Sequence, residues 1–400
     1  MHLFINSLAA SAGGGLTYIR NVIPHLAATQ DLRVTVALGP SLRQEFPSAS
    51  NIEFVELETS AAKRFWFEQS KLPEMIRRRG ADVLLSTGNF ALRKSPIPQI
   101  LLSRNSLYTS ADFYRDLISR GEYRTWLDTR FRAMLARRSI FWADCTVAPS
   151  EAFAAELRQW TGRTVRAIHH GFDREAFFSE SGPLGATVEA KLKRADENVR
   201  LLFVSHYNYY RNFETLIRAL PLLRQLLPNR SVTLFLTCKL SPGENPGEYR
   251  PNAAAKLVKD LGVENMVVEL GSIPYRQLHR LYERANLYVT PAYTETFAHP
   301  LVEAMASGLP VVASDLAVHR EICGEAAAYF PRFSAEELAE TVAQVTRSPE
   351  MLKSMADTGS ERARQFSWKT HVEKILELCR MLIGSKRRER FSGEERRREF

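Results

Sequence analysis

Cysteine is scarce in this chain, four in 400 residues, at Cys145, Cys238, Cys323 and Cys379, far apart and with no CxxC pair. That spacing argues against a disulfide framework or a cysteine metal site, and the thiols read as buried groups of a reducing compartment. No apolar run approaches the ~20 residues that cross a bilayer. The opening stretch, MHLFINSLAASAGGG, lacks a charged segment and passes straight into glycines, as a first strand and loop would rather than a secretion signal. A GxGxxG fingerprint is missing, which weakens a dinucleotide dehydrogenase reading. No DxD lies near a strand end, so no divalent metal is implied. Zinc-finger spacing, a basic zipper and an aromatic-rich RNA signature are also absent. No repeat of solenoid length occurs. The expectation is a cytoplasmic protein, at most peripheral at the inner membrane face.

The charge that is present is uneven. Residues 1–172 hold 22 Lys/Arg against 15 Asp/Glu, residues 173–382 hold 25 against 26, and the last 18 residues hold 7 against 4. The net +9 therefore belongs to the first half and the tail. A basic face suits nucleic acid, an anionic bilayer or a phosphorylated small molecule, and is otherwise a solvated surface. Without a nucleic-acid motif, the first of these is the weakest. With 45% hydrophobic residues over 400 positions, the chain is too long for one ordinary core and long enough for two.

Short apolar runs alternate with helical-period segments, the rhythm of doubly wound parallel sheets. Strands are expected at His2–Asn6, Arg33–Leu38, Ile52–Leu57, Asp82–Ser86, Gln99–Ser103 and Asp144–Ala148, with helices near 16–28, 67–79, 109–140 and 150–160. The stretch 160–175, WTGRTVRAIHHGFDRE, breaks the rhythm and reads as a hinge. Strands resume at Arg200–Ser205, Ser231–Cys238, Asn286–Thr290 and Val311–Ser314, with helices near 213–226, 276–284, 300–307, 335–347 and 350–364. The loop SPGENPGEYRP reads as turn-rich. Trp368–Ile383 has an amphipathic helical pattern, and SKRRERFSGEERRREF has too little apolar content to demand order. The domains expected are 1–172, 173–366, a crossing helix at 367–384 and a disordered basic tail at 385–400.

The most informative segment is YTETFAHPLVEAMASGLPVVAS at 293–314. Glu295 and Glu303 flank a turn that feeds a short helix, with Pro300 suited to its start and Gly308 to its end. The β-branched run behind it reads as a buried parallel strand. A helix N-terminus offers backbone N–H groups to an anion, and the carboxylates beside it accept hydroxyls. A nucleotide sugar carries both groups.

This segment resembles the signature of the GT4-type retaining glycosyltransferases, in which a Glu is followed by Phe-Gly and then by a second Glu eight positions after the first. Here these are Glu295, Phe297-Ala298 and Glu303. AGGGLTYIRNVIPHLA, TVAPSEAFAAELRQW with HHGFDREAF, and FSWKTHVEKILELCRML match further family segments in the right order. The resemblance covers nearly the whole chain except residues 40–130 and the tail. It implies a GT-B fold: two Rossmann-like domains facing a central cleft, the first binding the acceptor and the second the nucleotide sugar.

By that resemblance Glu303 accepts the ribose hydroxyls, and Glu295 lies beside the donor sugar. The backbone N–H groups of Phe297, Ala298 and His299 meet sugar or phosphate, with alanine standing where the family usually has glycine. The family's Arg and Lys after the first strand of the second domain correspond to His206 and Arg211. Arg211 can grip phosphate oxygens with a forked pair of bonds. Gly14 and Gly15 would let the backbone approach the ligand from the first domain. Many relatives carry a His where this chain has Arg104-Asn105, so Asn105 becomes a substrate-side candidate and the acceptor-side base is unassigned. The aromatic run Phe65-Trp66-Phe67, and the aromatics mixed with arginines from Tyr108 to Trp126, fit core packing, with acceptor or bilayer contact as the alternative.

The reading is a metal-independent hexosyltransferase without organic cofactor. It would use a UDP- or GDP-sugar and a carbohydrate or lipid-linked acceptor, in polysaccharide or glycolipid assembly. Arg211, Glu295 and His206 would carry the chemistry. The alternatives are a non-catalytic sugar-nucleotide sensor or partner subunit, and a nucleotide-sugar epimerase. A phosphorylase is a weaker option, since no pyridoxal-lysine site is found.

Overall fold

The computed structural model describes residues 1–10, 13–179, 182–245 and 249–398, with side chains as far as Lys386. It divides into two units. The first comprises Met1–Thr109, Tyr123–Gly171 and Ser367–Phe400, and the second Ser110–Glu122 and Phe172–Phe366.

The first unit is built on seven parallel strands: β1 (His2–Asn6), β2 (Arg33–Leu38), β3 (Ile52–Glu56), β4 (Val83–Ser86), β5 (Gln99–Leu102), β6 (Cys145–Ala148) and β7 (Val165–Ala167). Their order is β3-β2-β1-β4-β5-β6-β7. Side chains alternate across the sheet, so one strand feeds two cores. Leu3, Ile5, Val34, Val36 and Leu85 pack with Tyr18, Ile19, Val22 and Ile23 of helix Gly13–Ala27, and with Val372, Ile375 and Leu376 of helix Trp368–Arg398. Phe4, Ala37 and Leu84 point the other way, onto Leu72 and Ile76 of helix Ala61–Arg79. Both faces being covered explains why these strands read as continuous apolar runs.

The second unit has six parallel strands: β8 (Val199–Phe203), β9 (Val232–Leu236), β10 (Val267–Glu269), β11 (Leu287–Thr290), β12 (Val311–Ser314) and β13 (Ala327–Phe330). Their order is β10-β9-β8-β11-β12-β13. Helix Phe213–Leu226 buries Phe213, Leu216, Ile217, Leu220 and Leu223, an i, i+3, i+4, i+7, i+10 face. In each sheet the chain direction of winding reverses once, between β1 and β4 and between β8 and β11, and ligands of open α/β sheets bind outside the carboxyl ends of the strands at that reversal.

Four expectations are corrected. Residues 110–122, read as part of the first domain, belong to the second unit. Arg332 Nη2 donates to Asp112 at 2.6 Å, Tyr293 Oη to Asp116 at 2.8 Å, and Arg120 Nη1 to Glu214 at 2.9 Å. The single helix expected over 109–140 is two, Ala111–Ser119 and Tyr123–Trp142, because Gly121 adopts φ 71°, a left-handed conformation open to glycine. The segment 160–175 carries an unexpected strand, β7, while the passage from the first unit to the second does fall within it, after Gly171. The tail read as disordered from 385 continues the last helix to Arg398, a run of arginine and glutamate with good helix propensity. Residues 246–248 of the turn-rich loop, and 399 and 400, lie outside the described residues.

Candidate functional site

The reversal point of the second sheet collects the strongest sequence candidates. The loop leaving β8 carries His206 and Arg211, and the loop leaving β11 carries Glu295, Phe297 and Ala298. Arg211 Nη1 donates to Glu295 Oε1 in a partly buried ion pair. Arg211 Nε is buried with no hydrogen-bond partner, so part of the guanidinium fork is still unused.

Asn212 is why these loops meet. It takes φ 55° as the residue before helix Phe213–Leu226, a conformation Asn tolerates better than most side chains. Its amide donates to Pro291 O at 3.1 Å and to Arg332 O at 2.6 Å. Tyr293 N donates to Tyr210 O at 3.0 Å, adding a backbone link between the two loops.

The β11 loop turns into helix His299–Ala306 through Ala298, which sits at φ 63°, ψ 65°. This left-handed geometry is ordinary for glycine and strained for alanine. Alanine therefore occupies, in this chain, a backbone position that glycine would take without strain. Phe297 is fully buried, its ring 4.9 Å from the His299 ring and 5.4 Å from that of Phe366. Pro300 occupies the first turn of this helix, and Gly308, at φ 68°, follows its end.

Glu303 faces inward from that helix, 6% exposed. Tyr282 Oη donates to its Oε2 at 2.9 Å. Burial pushes the Glu303 carboxyl up to about 7, with the Tyr282 hydroxyl pulling it partly back. His206 is shifted below the usual imidazole range, first by burial and then by the Arg211 charge. His319, in helix Ala317–Cys323, is held at about 4, chiefly by burial, with Arg211 again among the causes. Its Nδ1 meets Ser314 O at 2.9 Å, while its Nε2 is buried without a partner. The centre of this site is thus an arginine pinned by one carboxylate, with two depressed imidazoles in its field and a buried acid close by.

The first unit has its own reversal point, between β1 and β4. Gly14 and Gly15 open helix Gly13–Ala27 after β1. A Cβ on Gly15 would come within 3.2 Å of Ala10 Cα, whereas one on Gly14 would meet nothing within 4 Å. Glycine at 15 therefore serves a tight loop, and Gly14 leaves open space. Arg104 Nη1 donates to Gly14 O at 2.7 Å and its Nη2 to Thr87 O at 2.6 Å, with the guanidinium 4.9 Å over the Tyr18 ring. Burial draws Arg104 down to about 10. Where relatives were read to carry a histidine, this chain has a strut that ties the glycine loop to the loop after β4. Asn105 Oδ1 accepts from Leu107 N at 3.1 Å, capping the short turn Ser106–Tyr108, which is a structural task.

Asn212, Tyr282, His319 and Arg104 were not singled out from sequence as structural partners of the site. Only the left-handed preference of Asn beside a helix start gave a usable signal, at Asn212. A cavity of about 760 Å³ lined by His2, Arg33, Asn51 and Asp82 lies at the amino ends of β1 and β2, the wrong ends for a ligand site in this architecture. Among the described residues, no group of three or more His, Cys, Asp or Glu side chains is arranged to hold a metal ion.

Comparisons with known proteins bear on the family and the fold. The family model for Glycosyltransferase Family 4 matches residues 12–176, and that for Glycosyl transferases group 1 matches residues 186–362. A D-inositol 3-phosphate glycosyltransferase of Corynebacterium aurimucosum is 30% identical over 171 residues, 42% of this chain and 39% of the relative. The chain spans about half the length of the curated relatives it matches, between 34% and 56%. Among solved structures, sucrose-phosphate synthase from Thermosynechococcus elongatus superposes with a TM-score of 0.74 at 19% identity, covering 96% of this chain and all of the other. Anabaena HepE in complex with UDP-glucose gives 0.70 at 19% identity, with 96% and 100% covered. The two matched segments between them span most of both units, and the chain belongs to the GT4-type glycosyltransferases, with the GT-B fold.

Proposed function

We propose that this protein transfers a hexose from a nucleoside-diphosphate sugar to an acceptor hydroxyl with retention at the anomeric carbon. The observation that carries the reading is the Arg211–Glu295 pair at the reversal point of the second sheet, one short helix away from the buried Glu303. Arg211 supplies a fixed positive charge to the diphosphate, using the N–H groups its pairing with Glu295 leaves over. The amino end of helix His299–Ala306 adds a partial positive charge in the same loop. Together they stabilise the charge that develops on the departing phosphate, commonly the largest catalytic contribution. Glu303 receives the ribose hydroxyls, Glu295 orients the donor sugar, and His206 stands where a second cation is usual. Its depressed basicity keeps it neutral until a diphosphate raises it.

In the step itself, the bond between the anomeric carbon and the diphosphate oxygen breaks and the acceptor oxygen attaches to the same face. The acceptor's proton passes to the departing phosphate oxygen. This route needs no imidazole base on the acceptor side, in keeping with Arg104 acting as a strut. It also calls for no divalent metal, because Arg211 and the helix already oppose the phosphate charge. UDP is the first donor nucleotide to test, since the HepE structures contain UDP and UDP-glucose, and GDP the second. The acceptor is a carbohydrate, a phosphorylated polyol of the kind named for the inositol 3-phosphate enzymes, or a lipid-linked sugar at the inner face of a membrane.

The test is release of UDP or GDP from a panel of nucleotide sugars in the presence of chelator, with candidate acceptors, for wild type and Arg211→Ala. Turnover lost by at least about a hundredfold in the variant supports the assignment. Binding without any turnover would identify a sensor or partner subunit, and conversion of the donor with no acceptor present an epimerase. Near-normal turnover by Arg211→Ala would overturn the role given to that charge.

A further inference from the structure

Helix Tyr123–Trp142 of the first unit has a buried face and, opposite it, an exposed apolar one. Its inner face buries Thr129, Ala133, Ala136, Ser139 and Ile140, mostly small residues, with Ala133 and Ala136 packed beside Tyr108 and Phe90. Its outer face leaves Tyr123 63%, Leu127 62%, Phe131 56%, Met134 44% and Phe141 47% exposed. At about 100° per residue these five positions fall in a strip roughly 80° wide, on the side of the helix away from the buried residues. The strip is ~27 Å long. A solvated surface needs no such row, and contiguous exposed apolar side chains mark an interaction face.

Charge specifies what covers it. The helix holds five arginines, Arg124, Arg130, Arg132, Arg137 and Arg138, and one acid, Asp128, which is paired with Arg132 at 2.8 Å. By the same helical geometry Arg130 and Arg137 edge the strip on one side, Arg124 edges it on the other, and Arg138 interrupts it. A second copy seated on this strip would set arginines against arginines on both edges. An anionic lipid surface offers the complement: apolar side chains enter the headgroup boundary while the long arginine stems hold their charges at phosphate level. Trp66, 71% exposed, stands on helix Ala61–Arg79; its ring contacts run through Phe65 to Phe90, which packs with Ala133 and Ala136 on the inner face of helix Tyr123–Trp142.

We propose that the outer face of helix Tyr123–Trp142 docks the protein on an anionic bilayer through Tyr123, Leu127, Phe131, Met134 and Phe141, flanked by its arginines. The proposal stands on the first unit alone and does not rest on the donor-site reading.

The test uses the full chain and co-sedimentation with phosphatidylcholine vesicles, with and without phosphatidylglycerol, at low and high salt. Wild type sediments with the anionic vesicles and is released by salt. Leu127→Gln/Phe131→Gln and Arg130→Glu/Arg137→Glu each lower the bound fraction by at least about tenfold. Both variants keep the wild-type circular dichroism and nucleotide response, since all four positions are exposed. Failure of wild type to bind anionic vesicles, equal binding to neutral ones, or retention by both variants would overturn the proposal. So would light scattering that showed wild type as a dimer and Leu127→Gln/Phe131→Gln as a monomer, which would assign the strip to a second copy.

Discussion

Replacing Glu303 with glutamine separates what this residue does for the fold from what it does for a ligand. In the unliganded protein its carboxyl is buried and raised from 4.5 to about 7. A raised acid favours the folded state below its unfolded value and loses that contribution as pH climbs through the folded value. The loss therefore develops between about pH 4.5 and 7 and is complete above it. A shift of this size corresponds to roughly 3 kcal/mol. Glutamine does not ionise, yet its carbonyl can still accept from the Tyr282 hydroxyl. Glu303→Gln should then be more stable than wild type at pH 8 by about 2–3 kcal/mol, and nearly equal to it at about pH 4. In melting temperature this is of the order of 5–10 °C for a unit of this size. The same substitution should weaken nucleotide binding by about 1.5–3 kcal/mol, ten- to a hundredfold, because a charged acceptor for the ribose is gone. Differential scanning fluorimetry across pH, with and without UDP and GDP, reads both effects. A stability difference that does not change with pH, or a variant less stable at pH 8, would refute the reasoning.

Three further outcomes follow from the same contacts. Ala298→Gly should raise stability by about 0.5–1 kcal/mol and leave nucleotide affinity unchanged, because glycine takes φ 63° without strain; a loss of stability on denaturant titration would show that the alanine methyl is needed. Gly171→Ala should cost about 3 kcal/mol or more, since a Cβ there would fall 1.9 Å from Trp368 N and push away the start of the last helix; wild-type melting would contradict the packing described. Asn212→Ala removes the donor to Pro291 O and Arg332 O and should lower kcat/KM by about tenfold, as the loop bearing Glu295 loses its tether; unchanged kinetics would mean the two loops hold their places without it.

Much of the fold was legible because both sheets are buried on both faces, so their central strands read as short, mostly apolar runs. Strands β1 and β2 coincide with their expected bounds, and β8, β9, β11 and β12 lie within a residue or two of theirs. The short edge strands were not legible. Val165–Ala167 sits in a polar stretch, Val267–Glu269 is three residues long, and Ala327–Phe330 begins inside an alanine run that reads as helix. Residues 110–122 were assigned to the wrong unit because their partners are remote in sequence: Asp112 and Arg332 are 220 positions apart, and local pattern carries no trace of such pairing.

The site divides the same way. Glu295 and Glu303 were singled out from a turn and a helix start, and Phe297 and Arg211 from the resemblance to the glycosyltransferase signature, all of it carried by local sequence. Tyr282 beside Glu303, His319 in the field of Arg211, and the Arg104 strut depend on tertiary placement, and nothing in their own neighbourhoods distinguishes them from core residues. Ala298 lies between these cases. Its sequence showed alanine at a position where the resemblance implies glycine, and only the structure showed that the alanine sits at a positive φ, the conformation glycine favours.

The central claim is that the reversal point of the second sheet is a nucleoside-diphosphate site governed by Arg211. Isothermal titration of UDP and GDP into wild type and Arg211→Ala, in chelator and without added metal, tests it most directly. The account predicts saturable binding of at least one of the two by wild type and a loss of at least about tenfold in the variant. Equal affinity in both proteins, or no binding of either nucleotide by the folded wild type, would contradict it.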